Sequence, residues 1–190
     1  MLRLKLLFKI AMTDFMPNNA TLLIRAEQDT DIKAIEQLTI AAFQSAEHTS
    51  HTEHLIVNAL RQAEQLTVSL VAESAQRIVG HVGISPVTLS NNENDWYGLA
   101  PVSVLPQMQG QGIGKALVST ALEQLKMRGA KGCVVLGDPN YYQQFGFIAY
   151  LELLLADVPA EYFQALSFSG EIPTASVQYH DAFNVTGDAI

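Results

Sequence analysis

Residues 109–114 read Gln-Gly-Gln-Gly-Ile-Gly, entered from the apolar stretch Leu99 to Pro106 and left through an amphipathic segment. Three glycines in six positions strip side chains from a strand-to-helix junction. Backbone N–H groups can then converge on one point, and the helix that starts there adds the positive end of its dipole. Such a junction is an anion cradle, and it demands an α/β chain with a strand feeding a helix.

Residue types at fixed offsets separate the Gly-rich loops that hold phosphates. In a P-loop built on Gly114-Lys115, the first glycine falls at Gln109 and the magnesium-binding hydroxyl at Ala116, so that pattern fails. The dinucleotide pattern G-x-G-x-x-G meets Lys115 when started at Gly110 and Leu117 when started at Gly112, and fails as well. The pattern Q/R-x-x-G-x-G/A is met by Gln109, Gly112 and Gly114. Val102 to Pro106 precedes it as a strand, and Tyr142-Gln143-Gln144-Phe145-Gly146-Phe147 lies downstream as Tyr-x-x-x-Gly-Phe. In this order and spacing the chain resembles the GCN5-related N-acetyltransferase (GNAT) superfamily, and from Leu99 to Phe147 it resembles the bacterial YhbS-type branch. The competing reading is a glycine-rich turn that serves the fold alone.

The resemblance implies a single GNAT-like α/β domain: a mixed central sheet flanked by helices, with the fourth and fifth strands splayed around acyl-CoA. It implies acetyl-CoA as cosubstrate, its pyrophosphate held by Gln109, Gly110, Gln111, Gly112, Ile113 and Gly114. The main chains of Val102 and Val104 would lie beside the pantetheine arm. Tyr142, four residues before Gly146, takes the family's general-acid position; its plainer reading is an aromatic packed among Tyr141, Phe145 and Phe147. One departure is that the Asn often found seven residues before that tyrosine is Val135 here.

Periodicity predicts the elements. Thr21 to Arg25 reads as a strand, and Asp29 to Phe43 as a helix capped by Asp29 or Thr30 with Ile32, Ile35, Leu38 and Ala42 as its apolar stripe. A second helix carries Leu55 and Leu60. Residues 67–73 and 77–89 form a hairpin turning near Ala75-Gln76, and Asn91 to Asp95 is a polar loop. The helix from about Gly112 to Arg128 places Ile113, Leu117, Ala121 and Leu125 on one face and stops at Gly129. Residues 132–136 read as a buried strand, Pro139 opens a short helix, and Phe147 begins a strand. Toward the C-terminus, Pro159 to Leu166 is expected as a short helix and Ala175 to Tyr179 as the strand that completes the sheet.

The chain has 190 residues, 48% of them hydrophobic, enough for one well-packed core and short for two. Residues 21–190 are read as that domain. Residues 1–20 are read as an extension outside the core, of the kind that translation starting upstream of Met12 or Met16 would add. Lys9 interrupts the apolar run too early for a signal peptide, and stable membrane association is not expected. A formal net charge of −8 argues against a nucleic-acid surface and suits cationic amines. The single cysteine, Cys133, rules out a disulfide within the chain and agrees with a cytoplasmic setting; it reads as a small buried strand residue, without the His or Asp company of a nucleophile.

Acetyl transfer to an amine needs two proton movements. A lysine-like amine of pKa about 10.4 is charged at neutral pH, and stripping its proton costs roughly 4–5 kcal/mol. A base is therefore required. The strand from Trp96 to Leu105 carries no carboxylate, which leaves Glu53 with the histidines around it, and His81 between Gly80 and Val82, the latter reading first as a structural or pocket-lining residue. His48, His51 and His54 lack the H-E-x-x-H order and read as a loop or pocket rim, so no metal is expected. The resulting expectation is direct transfer from acetyl-CoA to a small-molecule or peptide amine through a ternary complex. The alternative is a non-catalytic acyl-CoA-binding or regulatory module. A homodimer through the C-terminal strands is compatible with either.

Overall fold

The computed structural model describes residues 21–44 and 49–186. The extension expected at residues 1–20 lies outside them.

A six-stranded sheet forms the centre, in the order β1 (Leu23–Ala26), β2 (Val68–Ser74), β3 (Arg77–Pro86), β5 (Trp96–Val104), β6 (Gly132–Leu136), β8 (Phe163–Ser167). All neighbours are antiparallel except β5 and β6, so the sheet is mixed. The β2–β3 hairpin turns at Ala75 and Gln76, whose φ values of 48° and 61° are those of a primed two-residue turn. Helix α3 (Ile113–Met127) covers one face. Its stripe Ile113, Leu117, Ala121 and Leu125 is buried against Leu70, Val82, Ile84 and Leu99, as the helical period predicts. Each such leucine or isoleucine contributes about 1.5–3 kcal/mol by leaving water. The other face carries α1 (Ile32–Phe43) and α2 (Glu53–Gln62), where Ile35 and Val57 pack on Val71.

Several boundaries differ from the sequence reading. Asp29–Asp31 is a tight 3-10 turn before α1, and neither Asp29 nor Thr30 caps the helix. Asp31 does the tying: its carboxylate accepts from Gln28 N at 2.8 Å and from Arg25 at 2.6 and 3.0 Å, which fastens the turn to β1. The strand expected to run to Leu89 breaks at Val87, and Thr88–Leu89 (β4) leaves for a second, three-stranded sheet with β9 (Ala175–Gln178) and β7 (Leu153–Leu155). The strand expected as fourth is thus the fifth in the chain. Phe147 begins no strand; it is buried in the core, and Ile148 makes a single bridge to Ala165. The helix expected over 159–166 is a 3-10 turn at Ala160–Tyr162 leading into β8, because β6 offers a free edge that Phe163 to Ser167 pairs with along its length. That strand completes the main sheet, and Ala175–Gln178 does not.

Candidate active site

β5 and β6 pair only at Trp96 with Gly132, Tyr97 with Cys133 and Gly98 with Val134. Beyond Gly98 the two strands part. The cause lies on the other side of β5: Val82 pairs with Val102 and Ile84 with Leu99, so Ala100 and Pro101 together oppose Gly83 in a bulge. A bulge bends its strand and redirects the residues beyond it. From there to Val104, β5 shows an unpaired main-chain edge toward β6, and half-buried Val102 and Val104 lie on this stretch.

The edge leads into the cradle. Gly110 and Gly112 have φ of 72° and 82°, the left-handed region that favours glycine, and a Cβ on either would meet no atom within 4 Å, so the space above them is open. Gly112 is the N-cap of α3, and the first helical bond runs from Ala116 N to Gly112 O at 2.9 Å. The N–H groups of Ile113, Gly114 and Lys115 precede it and have no helical acceptor. Gln109 Nε2 donates to Val104 O at 3.1 Å and Gln111 Nε2 to Gln107 O at 3.3 Å; the glutamines thus brace the loop with their side chains. Nothing in the sequence points to Tyr141, yet its hydroxyl would sit 2.9 Å from a Cβ on Gly114, at the mouth of the cradle beside Val104.

Tyr142 stands at the far side of the wedge. Asp138 caps α4 (Pro139–Tyr142) by accepting from Asn140 N at 2.9 Å, and Asn140 turns its own carboxamide back onto Asp138. The Tyr142 ring lies so close over Gly137 that a Cβ there would be 2.4 Å from Cε2. Tyr141 and Phe147 meet it edge-on at 5.0 and 5.8 Å. Burial, reinforced by Tyr141 and Cys133, pushes its pKa above that of an ordinary phenol, so it keeps its proton through the neutral range. Val135 is buried in β6, and Cys133 is a buried thiol whose pKa burial also raises, which leaves it inert.

The base candidates fall in two places. Glu53, His51 and His54 line a cavity of about 340 Å³ with Ile40 and Phe43 between α1 and α2. One oxygen of Glu53 accepts from Thr49 Oγ1 and from Ser50 N at 3.3 Å; His48 lies outside the described residues. Among the described residues no three His, Cys, Asp or Glu side chains converge on a metal-sized site, and no helix is long and apolar enough to cross a membrane. His81 is fully buried on β3, on the face away from α3. Its Nε2 lies 2.9 Å from Ser69 Oγ and 3.6 Å from Glu27 Oε2, and Arg61 Nε donates to Glu27 Oε1 at 2.5 Å. Burial raises the Glu27 carboxyl, but hydrogen bonds from His81, Arg61 and Ser69 outweigh it and hold the pKa at about 2.

An open strand edge thus runs into a glycine-rich loop at a helix N-terminus. Residues 32–147 match the acetyltransferase (GNAT) family, and the chain belongs to it. It is an N-acetyltransferase of that family. It is similar to the uncharacterised N-acetyltransferase YhbS of Escherichia coli K12, with 35% identity over 127 residues, covering 66% of this chain and 73% of that one. Among solved structures it is similar to a GNAT acetyltransferase from Brucella melitensis in complex with acetyl-CoA, at 45% identity and a TM-score of 0.78, covering 87% of this chain and 99% of that one. The crystal structure of Escherichia coli YhbS in complex with CoA superposes with a TM-score of 0.80 at 31% identity, covering 90% and 97% of the two chains.

Proposed function

We propose that the protein moves an acetyl group from acetyl-CoA directly to a primary amine, both held at once, with no covalent enzyme intermediate. The observation that carries this reading is the unpaired edge of β5 running straight into the open cradle at Gly110 and Gly112. Acetyl-CoA, when bound, supplies an activated acyl carbon and a sulfur leaving group. The free N–H groups at the start of α3 receive its pyrophosphate. The main chain at Val102 and Val104 pairs with the amide-bearing arm as an added strand would. A backbone N–H of β5 near the bulge can then polarise the thioester carbonyl as negative charge grows on it. Tyr142, kept protonated by burial, donates its proton to the departing sulfur. The cavity beside Glu53 and Phe43 suits an ammonium group on an apolar body, and the overall negative charge favours such acceptors.

The test measures CoA release from acetyl-CoA with spermidine, tryptamine and a short peptide with a free N-terminus, alongside calorimetric binding of acetyl-CoA. Tyr142→Phe is expected to lower kcat roughly 100-fold, within the range of a lost general acid, while acetyl-CoA affinity stays within about twofold. Full activity in that variant would remove Tyr142 from the chemistry. No acetyl-CoA binding by the wild type would overturn the whole reading.

A further inference from the structure

The network around His81 fixes which of its two ring nitrogens bears the proton. Glu27, with its pKa at about 2, is a carboxylate and can only accept. Arg61 donates to one of its oxygens, and the Ser69 hydroxyl donates to the other. With its single proton committed to Glu27, Ser69 Oγ can only accept from His81, so Nε2 carries the hydrogen across the 2.9 Å contact. Nδ1 is then a bare lone pair. It is buried and, among the described residues, has no hydrogen-bond partner, an arrangement that is costly and calls for an explanation.

The position of the ring supplies one. His81 pairs in register with Ser103 of β5, and its Cε1, bonded to both nitrogens, leans toward Gly83. A Cβ on Gly83 would lie 3.8 Å from that carbon and 3.2 Å from the carbonyl oxygen of Ala100 in the bulge. An arm laid from the cradle along Val104 and Val102 brings its reactive end to this bulge. β5 has no carboxylate to serve as base, and the imidazole stands one strand away on the face that α1 and α2 cover.

We propose that His81 is the terminal proton acceptor of the reaction, its Nδ1 taking the proton of the acceptor ammonium through bound water, while Glu27 and Ser69 act as positioning residues that keep this nitrogen bare. The proposal rests on the acetyltransferase reading. The ammonium loses one proton to Nδ1 and becomes a neutral amine, whose lone pair forms the C–N bond as the C–S bond breaks. The second proton lost from that nitrogen balances the one Tyr142 gives to sulfur, so one proton is released per turnover, held first on the imidazole and then returned to solvent. Burial keeps His81 neutral beforehand, and the Glu27 carboxylate meets the charge when it forms. Glu27, Ser69 and Arg61 also line an open cavity of about 410 Å³, which gives this end of the network contact with water.

Two amines of one ring size separate a base from a structural histidine: cyclohexylamine, charged at neutral pH, and aniline, already neutral there. With His81→Gln, acetyl transfer to cyclohexylamine is expected to fall roughly 100-fold and transfer to aniline by less than about 5-fold. Equal losses on both amines would overturn the proposal. Nitrogen NMR of the histidine rings in the wild-type protein gives a second decision that needs no turnover. A proton on Nε2 and none on Nδ1 at pH 7 is expected, and the opposite tautomer or a charged ring would overturn it. Glu27→Gln should shift that tautomer balance, and an unchanged balance would overturn the positioning role of Glu27. Loss of acetyl-CoA binding in the wild type would strike the acetyltransferase reading; the tautomer result stands apart from it.

Discussion

The cradle on one side of the sheet and the Glu27 network on the other are built on opposite plans. The cradle is a few consecutive residues, 109–114, which present main-chain N–H groups at a helix start, with side chains absent or turned back onto the loop. The network joins Glu27 of the segment after β1, Arg61 of α2, Ser69 of β2 and His81 of β3, and it acts wholly through side chains. Binding an anion needs donors that face open space, and a loop can present them. Setting a tautomer needs several side chains held within hydrogen-bond reach of one another, and only packing between distant elements can bring them there.

The two plans fail differently when altered. The largest effect is expected from Gly112→Glu, which places a carboxylate in the loop proposed to receive pyrophosphate and forces a side chain onto a φ of 82°. Calorimetry should show acetyl-CoA affinity falling at least about 100-fold, roughly 2.7 kcal/mol, with a much smaller change in stability. Glu27→Gln should do the reverse. Removing the charge opposite Arg61 is expected to cost roughly 2 kcal/mol in urea unfolding, less than a fully buried pair because Arg61 retains some solvent, and to leave acetyl-CoA affinity within about twofold. Equal damage to binding in both variants would erase the contrast.

Acid sharpens the contrast further. The folded pKa of Glu27, about 2, lies below its ordinary 4.5, so its share of stability is present above pH 4.5 and lost as the pH falls from there toward 2. Over that window the wild type should lose more unfolding free energy than Glu27→Gln, and parallel curves would show that the carboxylate is not held by its partners. The smallest effect belongs to Gly114→Ala. The added Cβ crowds the hydroxyl end of Tyr141, at 2.9 Å, which can swing aside, and touches Val104 Cγ2 at an ordinary 3.6 Å, so acetyl-CoA affinity should weaken by less than about 5-fold; a larger loss would show that Tyr141 is held in place.

Local pattern settled the features that depend on neighbours in the chain. The α3 stripe, the primed turn at Ala75 and Gln76, the Gly129 stop with its φ of 83° and the loop at 109–114 all stand where periodicity and turn chemistry put them. Each of these is decided within a turn or two of backbone. Most of the C-terminal third escaped that kind of reading: Ala175–Gln178 is a strand where one is expected, but in another sheet. Phe163 to Ser167 is a strand because β6 lies beside it, and Thr88–Leu89, Leu153–Leu155 and Ala175–Gln178 form a sheet only by meeting one another across long stretches of chain. Short strands take their identity from partners, and no window of a few residues contains those partners.

The same division runs through the site. Sequence alone determined the cradle, the strand that feeds it and the tyrosine four residues before Gly146, since each is a contiguous motif. The parting of β5 from β6 at Gly98, the hydroxyl of Tyr141 at the cradle and the bare nitrogen of His81 were decided by tertiary structure. A histidine between Gly80 and Val82 carries no mark of its protonation. That property comes from a carboxylate 54 positions away in the chain, because hydrogen-bond direction is set by the groups that packing brings within reach.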